Sequence, residues 1–287
     1  MNYANLLNTA TRQLQRCGII FAQQEALLLF THVSNKTSEY IIAHPENSIS
    51  SLLQHKYSAL IKRRSLHEPV AYIIKRAGFY GHTFYVDRRV LIPRPETEQL
   101  VDIAADIINR RHVKCAIDIG TGSGVIAITL SILFPKLNML ASDSSPEALS
   151  VAKRNIEAIL PRQHHLRLKS GVLLSSWRHV KSDLIVANLP YLTRAEILNS
   201  PTYQELRFEP YKALCGGAGG LNIYRKFFGN ISLNVTHQPE CVVIEHGWRQ
   251  CAPLTLLVHR LLPNYGCKSI RDYNNIPRFL IITKLPA

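Results

Sequence analysis

Residues 116–124 read Ala-Ile-Asp-Ile-Gly-Thr-Gly-Ser-Gly, and Val125–Leu130 follow as an apolar stretch able to open a helix. An apolar run that ends in a glycine-rich turn and leaves as a helix is the first half of a strand–turn–helix unit. Glycines at such a turn let the chain reverse sharply and let a ligand approach the backbone. A dinucleotide loop is one competitor. Its third Gly or Ala stands three residues after the second, and here that position is Val125.

Working outward, further strand candidates are Met139–Ala141, Leu166–Leu168, Leu184–Ala187, Cys241–Glu245, Ser269–Asp272 and Phe279–Thr283, beside Cys115–Ile119 itself. Helical stretches separate the earlier ones, which predicts a parallel sheet covered on both faces by helices. The last two strands come close together through Asn274-Asn275 and are expected to pair antiparallel at one edge. Residues 1–77 have helical spacing instead. Leu7, Ala10, Leu14 and Cys17 recur at three and four with Gly18 as a C-terminal cap, and Leu53, Tyr57, Leu60 and Ile61 share another face. His44-Pro45 breaks the pattern between helices. Thr83–Val86 alternates, turns at Asp87-Arg88-Arg89 and continues as Val90–Ile92, which predicts a hairpin within residues 78–92. The expected layout is therefore α/β: a helical domain over 1–77, a linking β-hairpin over 78–92 and a Rossmann-like domain over 93–287.

At 287 residues, with 46% hydrophobic and 19% charged residues, the chain suits a folded protein with a full core. No apolar run approaches the roughly 18 residues that span a bilayer. The opening MNYANLLNTATRQLQR lacks a secretory layout. Its Arg12, Arg16 and lack of acids suit a transit peptide in composition, but its apolar spacing continues into the first helices. Six scattered cysteines form no metal-ligand spacing, so no metal is expected, and reduced thiols in the cytoplasm follow. A net charge of +14 favours an acidic partner or a nucleic-acid-rich setting.

The chemistry concentrates at a few positions. Asn188-Leu189-Pro190-Tyr191 follows the apolar run Leu184–Ala187. The Asn188 amide oxygen and a main-chain carbonyl can accept from an NH2 group while the Tyr191 ring stacks on its plane. An ordinary strand-to-turn junction is the plain alternative. Asp143 ends the strand after the glycine turn, where a carboxylate can bind both hydroxyls of a ribose or cap the next helix. Asp118 can orient the glycine turn or receive an ammonium group.

With these residues in place, Gly120-x-Gly122-x-Gly124 suits the S-adenosylmethionine (SAM) loop of methyltransferases. The chain resembles the N5-glutamine methyltransferases of peptide chain release factors, the PrmC/HemK family. The resemblance rests on Phe79-Tyr80-Gly81 through Val90–Glu98, on the Asp118–Gly124 loop, on Asn188–Tyr191, and on Glu209-Pro210 with Ala213-Leu214, Gly216-Gly217 and Gly220-Leu221. Glu245-His246-Gly247 and Gln250 add to it. It implies methyl transfer from SAM to the amide nitrogen of the glutamine in a release factor's Gly-Gly-Gln tip, with S-adenosylhomocysteine as product. On this chain it implies cofactor contacts at Asp118, Gly120, Thr121, Gly122, Ser123, Gly124, Asp143, Val172 and Asn188. Substrate contacts and catalysis fall to Asn188, Leu189, Pro190 and Tyr191, with Arg94 and Glu96 also on the substrate. Class 1 release factors, ribosome proximity, a monomer and no membrane complete the expectation. Two departures are visible: Leu189 replaces the first proline of the usual tetrapeptide, and Ser170-Gly171-Val172 lacks the usual acidic residue near the adenine.

Two other readings compete. An adenine N6-methyltransferase acting on DNA or RNA would grip an exocyclic amine with the same tetrapeptide, and the basic charge suits it. A non-enzymatic binding protein that keeps the fold without turnover is the third, motivated by Leu189 and Gly171.

Overall fold

The computed structural model describes residues 1–233 and 237–286. Helices α1 (Tyr3–Arg16), α2 (Ala22–Ser34), α3 (Ser38–Ala43), α4 (Ser51–Ser65) and α5 (Val70–Ile74) open the chain. Asn2, Thr37 and Ser50 cap α1, α3 and α4, each side-chain oxygen accepting a backbone N–H three residues on; each such cap stabilises by about 1 kcal/mol. Gly18, at φ +77°, follows α1 where the chain must turn. Leu14, Ala26, Leu29, Phe30, Tyr57 and Ile61 are buried at the centre. Phe30 meets both Tyr3 and Tyr57 edge-on, at ring-centroid distances of 5.0 and 5.2 Å.

The contacts group Met1–Arg76 with Pro201–Phe208 as one unit and Ala77–Ser200 with Glu209–Ala287 as the other. Within the first unit Arg64 is buried, and its guanidinium lies 2.5 Å from both Glu25 and Glu205. A buried cation needs such partners, because burial without them costs several kcal/mol, on the order of 3–5. Glu205 lies on the short helix of the 201–208 segment.

The second unit begins with a hairpin, β1 (Ala77–Phe79) and β2 (His82–Phe84), which pairs Phe79 with His82. Tyr80 and Gly81 both have positive φ, 50° and 75°, as a two-residue hairpin turn requires. This corrects the sequence expectation, which put the turn at Asp87–Arg89 and a strand at Val90–Ile92. Residue 85 leaves the ladder because Asn155 takes both its backbone groups, accepting from Tyr85 N at 2.7 Å and donating to Tyr85 O at 3.0 Å. Asp87 then accepts from the backbone N–H and guanidinium of Arg89, forming a local turn with no strand after it.

Next come α6 (Glu96–Arg111), β3 (Cys115–Ile119), α7 (Val125–Leu133), β4 (Asn138–Asp143), α8 (Pro146–Ile159), β5 (Leu166–Ser170) and β6 (Leu184–Ala187). The short helices α9 (Arg194–Leu198), α10 (Tyr203–Leu206) and α11 (Tyr211–Leu214) lead to α12 (Asn222–Leu233), β7 (Cys241–Glu245), α13 (Cys251–Leu261), β8 (Tyr265–Arg271) and β9 (Pro277–Lys284). The sheet runs β5-β4-β3-β6-β7-β9-β8, parallel except for β9, which is antiparallel to both its neighbours. The terminal pair is thus antiparallel at one edge as expected, with the last strand, β9, lying between β7 and β8. Strand residues alternate between two cores. Ala116, Val186 and Val243 face the layer of α6, α7 and α8, whereas Ile117, Ile185 and Ile244 face Phe227, Phe228, Leu254 and Val258 of α12 and α13. Each fully buried Phe or Leu here stabilises by roughly 2 kcal/mol. Among the described residues no helix is long and apolar enough to cross a membrane.

Candidate active site

The chain passes from β3 to β4 and β5 on one side, then returns to β6 and β7 on the other. That reversal falls at the carboxyl ends of β3 and β6, the place where open α/β sheets bind ligands. Register sets what lines it. Ser142, Ile119, Ala187 and Ile244 are partners across β4, β3, β6 and β7. One residue further along stand Asp143, Gly120, Asn188 and Glu245. Two residues beyond Val186 and Val243, Asn188 and Glu245 share their parity and turn toward α6, whose Thr97 they meet.

The glycine turn is pinned on both sides. Gly120 and Thr121 donate their N–H groups to Ser142 O, and the half-buried Gly122 donates to Asp143 Oδ2 at 2.9 Å. Ser123 is buried, its carbonyl taken by Asn155, and Gly124 caps α7. Asp143 also accepts from Ser145 N, while Ser145 Oγ does the capping of α8. The N-cap alternative for Asp143 therefore passes to its neighbour. Each Asp143 oxygen keeps a further acceptor site for a pair of hydroxyls.

Asp118 is wholly buried; Thr121 Oγ1 donates to its Oδ2 at 2.6 Å, and among the described residues no donor lies within hydrogen-bond geometry of Oδ1. Burial pushes its carboxyl up to about 7. A buried acceptor left unmatched costs free energy until a donor arrives. A Cβ on Gly122 would meet only the Gly120 carbonyl, at 4.0 Å, so the turn is open there. An unmatched acid beside an open glycine turn suits a ligand that carries an ammonium group, as SAM does.

The tetrapeptide lies directly against this turn. Leu189 is buried, with its Cδ2 3.1 Å from where a Gly120 Cβ would stand. Tyr224, buried behind it, donates to the Glu245 carbonyl and lies 3.3 Å from Leu189 O. Asn188 Nδ2 donates to Glu245 Oε2 at 2.9 Å and to Thr97 Oγ1 at 3.1 Å. Tyr191 donates its hydroxyl to Glu245 Oε1 at 3.2 Å, and burial raises its pKa. The half-buried Pro190 points its carbonyl at Gly216, where any Cβ would come within 2.5 Å.

Family patterns described as PrmC N-terminal domain and Methyltransferase small domain match residues 5–74 and 98–206. A release factor glutamine methyltransferase of Staphylococcus aureus is 31% identical over 283 residues, 98% of each chain. The chain belongs to the release factor glutamine methyltransferase family. A member from Xylella fastidiosa is 33% identical over 256 residues, 88% of each chain. A bifunctional methyltransferase of Rickettsia typhi is 30% identical over 94% of this chain, which spans 54% of that protein's length. Among solved structures, the hMettl16 catalytic domain in complex with a MAT2A 3'UTR hairpin aligns with a TM-score of 0.59 at 15% identity, over 90% of this chain and 93% of that one. Human methyltransferase 10 domain containing protein gives 0.52 at 17% identity, over 72% and 91%. Those two likenesses establish the Rossmann-like methyltransferase fold.

The remaining residues implied by the family lie less centrally. Arg94 is paired with the buried Glu209 at 2.5 Å, and Glu209 also accepts from Ile92 N. Burial raises the pKa of Glu245, and the charge of Glu96, which opens α6, adds to that rise. Val172 is exposed beside Gly171, whose N–H donates to Asp143 O. A Cβ at 171 would lie 1.8 Å from Ser176 Oγ, so a larger residue there would have to displace that serine side chain. The family's acidic position is therefore apolar on this chain. Glu245, Thr97, Tyr224 and Gln250 support the site without having been assigned roles from sequence. A glutamate ending a strand as apolar as Cys241–Glu245 was the available signal, since a buried carboxylate needs donors.

Proposed function

We propose that this protein transfers the methyl group of SAM to the side-chain amide nitrogen of the glutamine in the Gly-Gly-Gln motif of class 1 release factors. The row Asp143–Gly120–Asn188 carries the reading, because it sets an amide acceptor beside a ligand-ready glycine turn. SAM supplies an electrophilic methyl group on a sulfonium. Asp118 Oδ1 would hold its ammonium group, the free acceptor sites of Asp143 its ribose hydroxyls, and Val172 an apolar edge of the adenine.

A carboxamide nitrogen is a poor nucleophile, so the protein's main contribution is position. Among the described residues Asn188 Oδ1 takes no hydrogen bond, which leaves it free to accept from the glutamine NH2. The Leu189 carbonyl has a second lone pair for the other hydrogen. The Tyr191 ring, held by its hydroxyl, would pack on the amide plane. These acceptors also favour the positive charge that develops on nitrogen, before its proton leaves to water.

Arg94 and Glu96 are proposed as contacts to the chain flanking the glutamine. The helical domain of residues 1–77 is proposed to dock the release factor, as a monomer in the cytoplasm near the ribosome, which the net charge of +14 supports. Tritiated SAM offered with purified release factor, RNA and DNA side by side tests the proposal. Label on the release factor glutamine is expected, with loss of label in Asn188→Ala. Label on nucleic acid alone would replace this reading with adenine methylation.

A further inference from the structure

Glu245 touches neither ligand in the proposed reaction, yet three side chains that belong to the site converge on it. Thr97 Oγ1 and Asn188 Nδ2 each donate to Oε2 at 2.9 Å, and the Tyr191 hydroxyl donates to Oε1 at 3.2 Å. The residue is 1% exposed, so no water competes for these bonds. Burying a carboxylate is costly unless donors meet it, and here two of the three donors are residues meant to hold the substrate.

The hydrogen count decides the orientation of the amide. Thr97 has one hydroxyl hydrogen, given to Glu245, and its oxygen accepts from Asn188 Nδ2 at 3.1 Å. Both hydrogens of the Asn188 amide are thereby consumed, one on Glu245 and one on Thr97. Only Oδ1 is left for a substrate, and a substrate NH2 requires an acceptor. With Glu245 ionised, the reversed amide would press Oδ1 against a carboxylate oxygen with no hydrogen between them, an acceptor facing an acceptor. The same carboxylate ties down the Tyr191 ring.

We infer that Glu245 is the positioning residue that turns the Asn188 amide oxygen toward the substrate nitrogen and fixes it relative to the Tyr191 ring. This rests on the glutamine-methylation reading. Glu245 acts through Asn188 and Tyr191, not on the reacting atoms.

The test compares wild type, Glu245→Leu, Glu245→Gln, Asn188→Ala and the Asn188→Ala/Glu245→Leu double variant. Each is assayed for kcat and KM with purified release factor, and for SAM binding by calorimetry. Glu245→Leu should lower kcat by about 100-fold, as loss of one preorganised acceptor does, with SAM affinity changed less than about threefold. Glu245→Gln keeps an oxygen for Thr97 and Asn188 and should recover at least about tenfold of that loss. The double variant should be no slower than Asn188→Ala, since residues acting as one unit are not additive. Additive losses, or a Glu245→Leu kcat within about threefold of wild type, would overturn the inference. Should Glu245→Leu not fold, Thr97→Val removes one donor without changing shape. It is expected to cost about tenfold in kcat in wild type and nothing in the Asn188→Ala background, and an unchanged kcat overturns the inference. Wild type that fails to label the release factor sinks the methylation reading itself, and this inference with it.

Discussion

Leu189 packs its side chain against Gly120, with Cδ2 3.1 Å from the position of a Cβ at that glycine. The departure from the family's proline thus joins the tetrapeptide to the glycine turn. Gly120 has φ +77° as well, so a side chain there is both strained and obstructed. Gly120→Ala should weaken SAM binding by at least about tenfold. Calorimetry on the variant checks this, and wild-type affinity would show that the turn yields more easily than its packing implies. Leu189→Ala should lower stability by about 2–4 kcal/mol through the cavity it leaves, read by denaturant unfolding.

The carboxyl of Asp118, pushed up to about 7 by burial, makes stability depend on pH. Its folded-state pKa exceeds its unfolded value, so the folded chain holds the proton more tightly. That contribution is present at low pH and is lost as pH rises toward and through about 7. The difference in thermal midpoint between wild type and Asp118→Asn, both free of ligand, should therefore move against wild type from pH 5 to pH 8 (~ values bracketing the titration). A flat difference would mean that the carboxyl does not titrate in that window.

A second glycine turn braces the tetrapeptide from behind. Gln250 Nε2 donates to Tyr191 O at 2.8 Å, and a Cβ on Gly220 would lie 2.0 Å from that same oxygen. Gly220→Ala must displace Tyr191 or the turn itself. We expect kcat to fall by roughly 10- to 100-fold, with SAM affinity little changed. Equal losses in both quantities would point to general unfolding of the domain.

Arg64 is 3% exposed between Glu25 and Glu205, whose side chains are 19% and 37% exposed. Arg64→Ala leaves two carboxylates without a cation. The partly exposed acids limit the cost to about 2 kcal/mol, below that of a fully buried pair. Limited proteolysis should then cut first within residues 201–208, the segment that Glu205 ties to the helical unit. Cutting elsewhere first would assign the segment's stability to other contacts.

Local pattern made much of this protein legible from its residues alone. Short, mostly apolar runs bounded by turn residues read as buried strands, and Cys115–Ile119, Leu184–Ala187 and Cys241–Glu245 fold with those bounds. Asn188–Tyr191 and Asp143 stand at strand ends for the same reason. The hairpin turn at Tyr80-Gly81 is hard to see in the residues because Asp87-Arg88-Arg89 is the stronger written turn signal. What draws residue 85 out of the ladder is Asn155, 70 positions away.

Amphipathic period, glycine spacing and the residue types at strand ends were thus enough to determine the domains' character and the chemistry they could carry. Tertiary structure alone decided that Glu245, 57 residues beyond Asn188, would take one of its amide hydrogens. It also decided that Glu205 would join a helical unit 141 residues earlier in the chain. The physical reason is that strand order and register arise from hydrogen bonds between distant segments, and one residue of slip would turn Asn188 and Glu245 to the other face of the sheet.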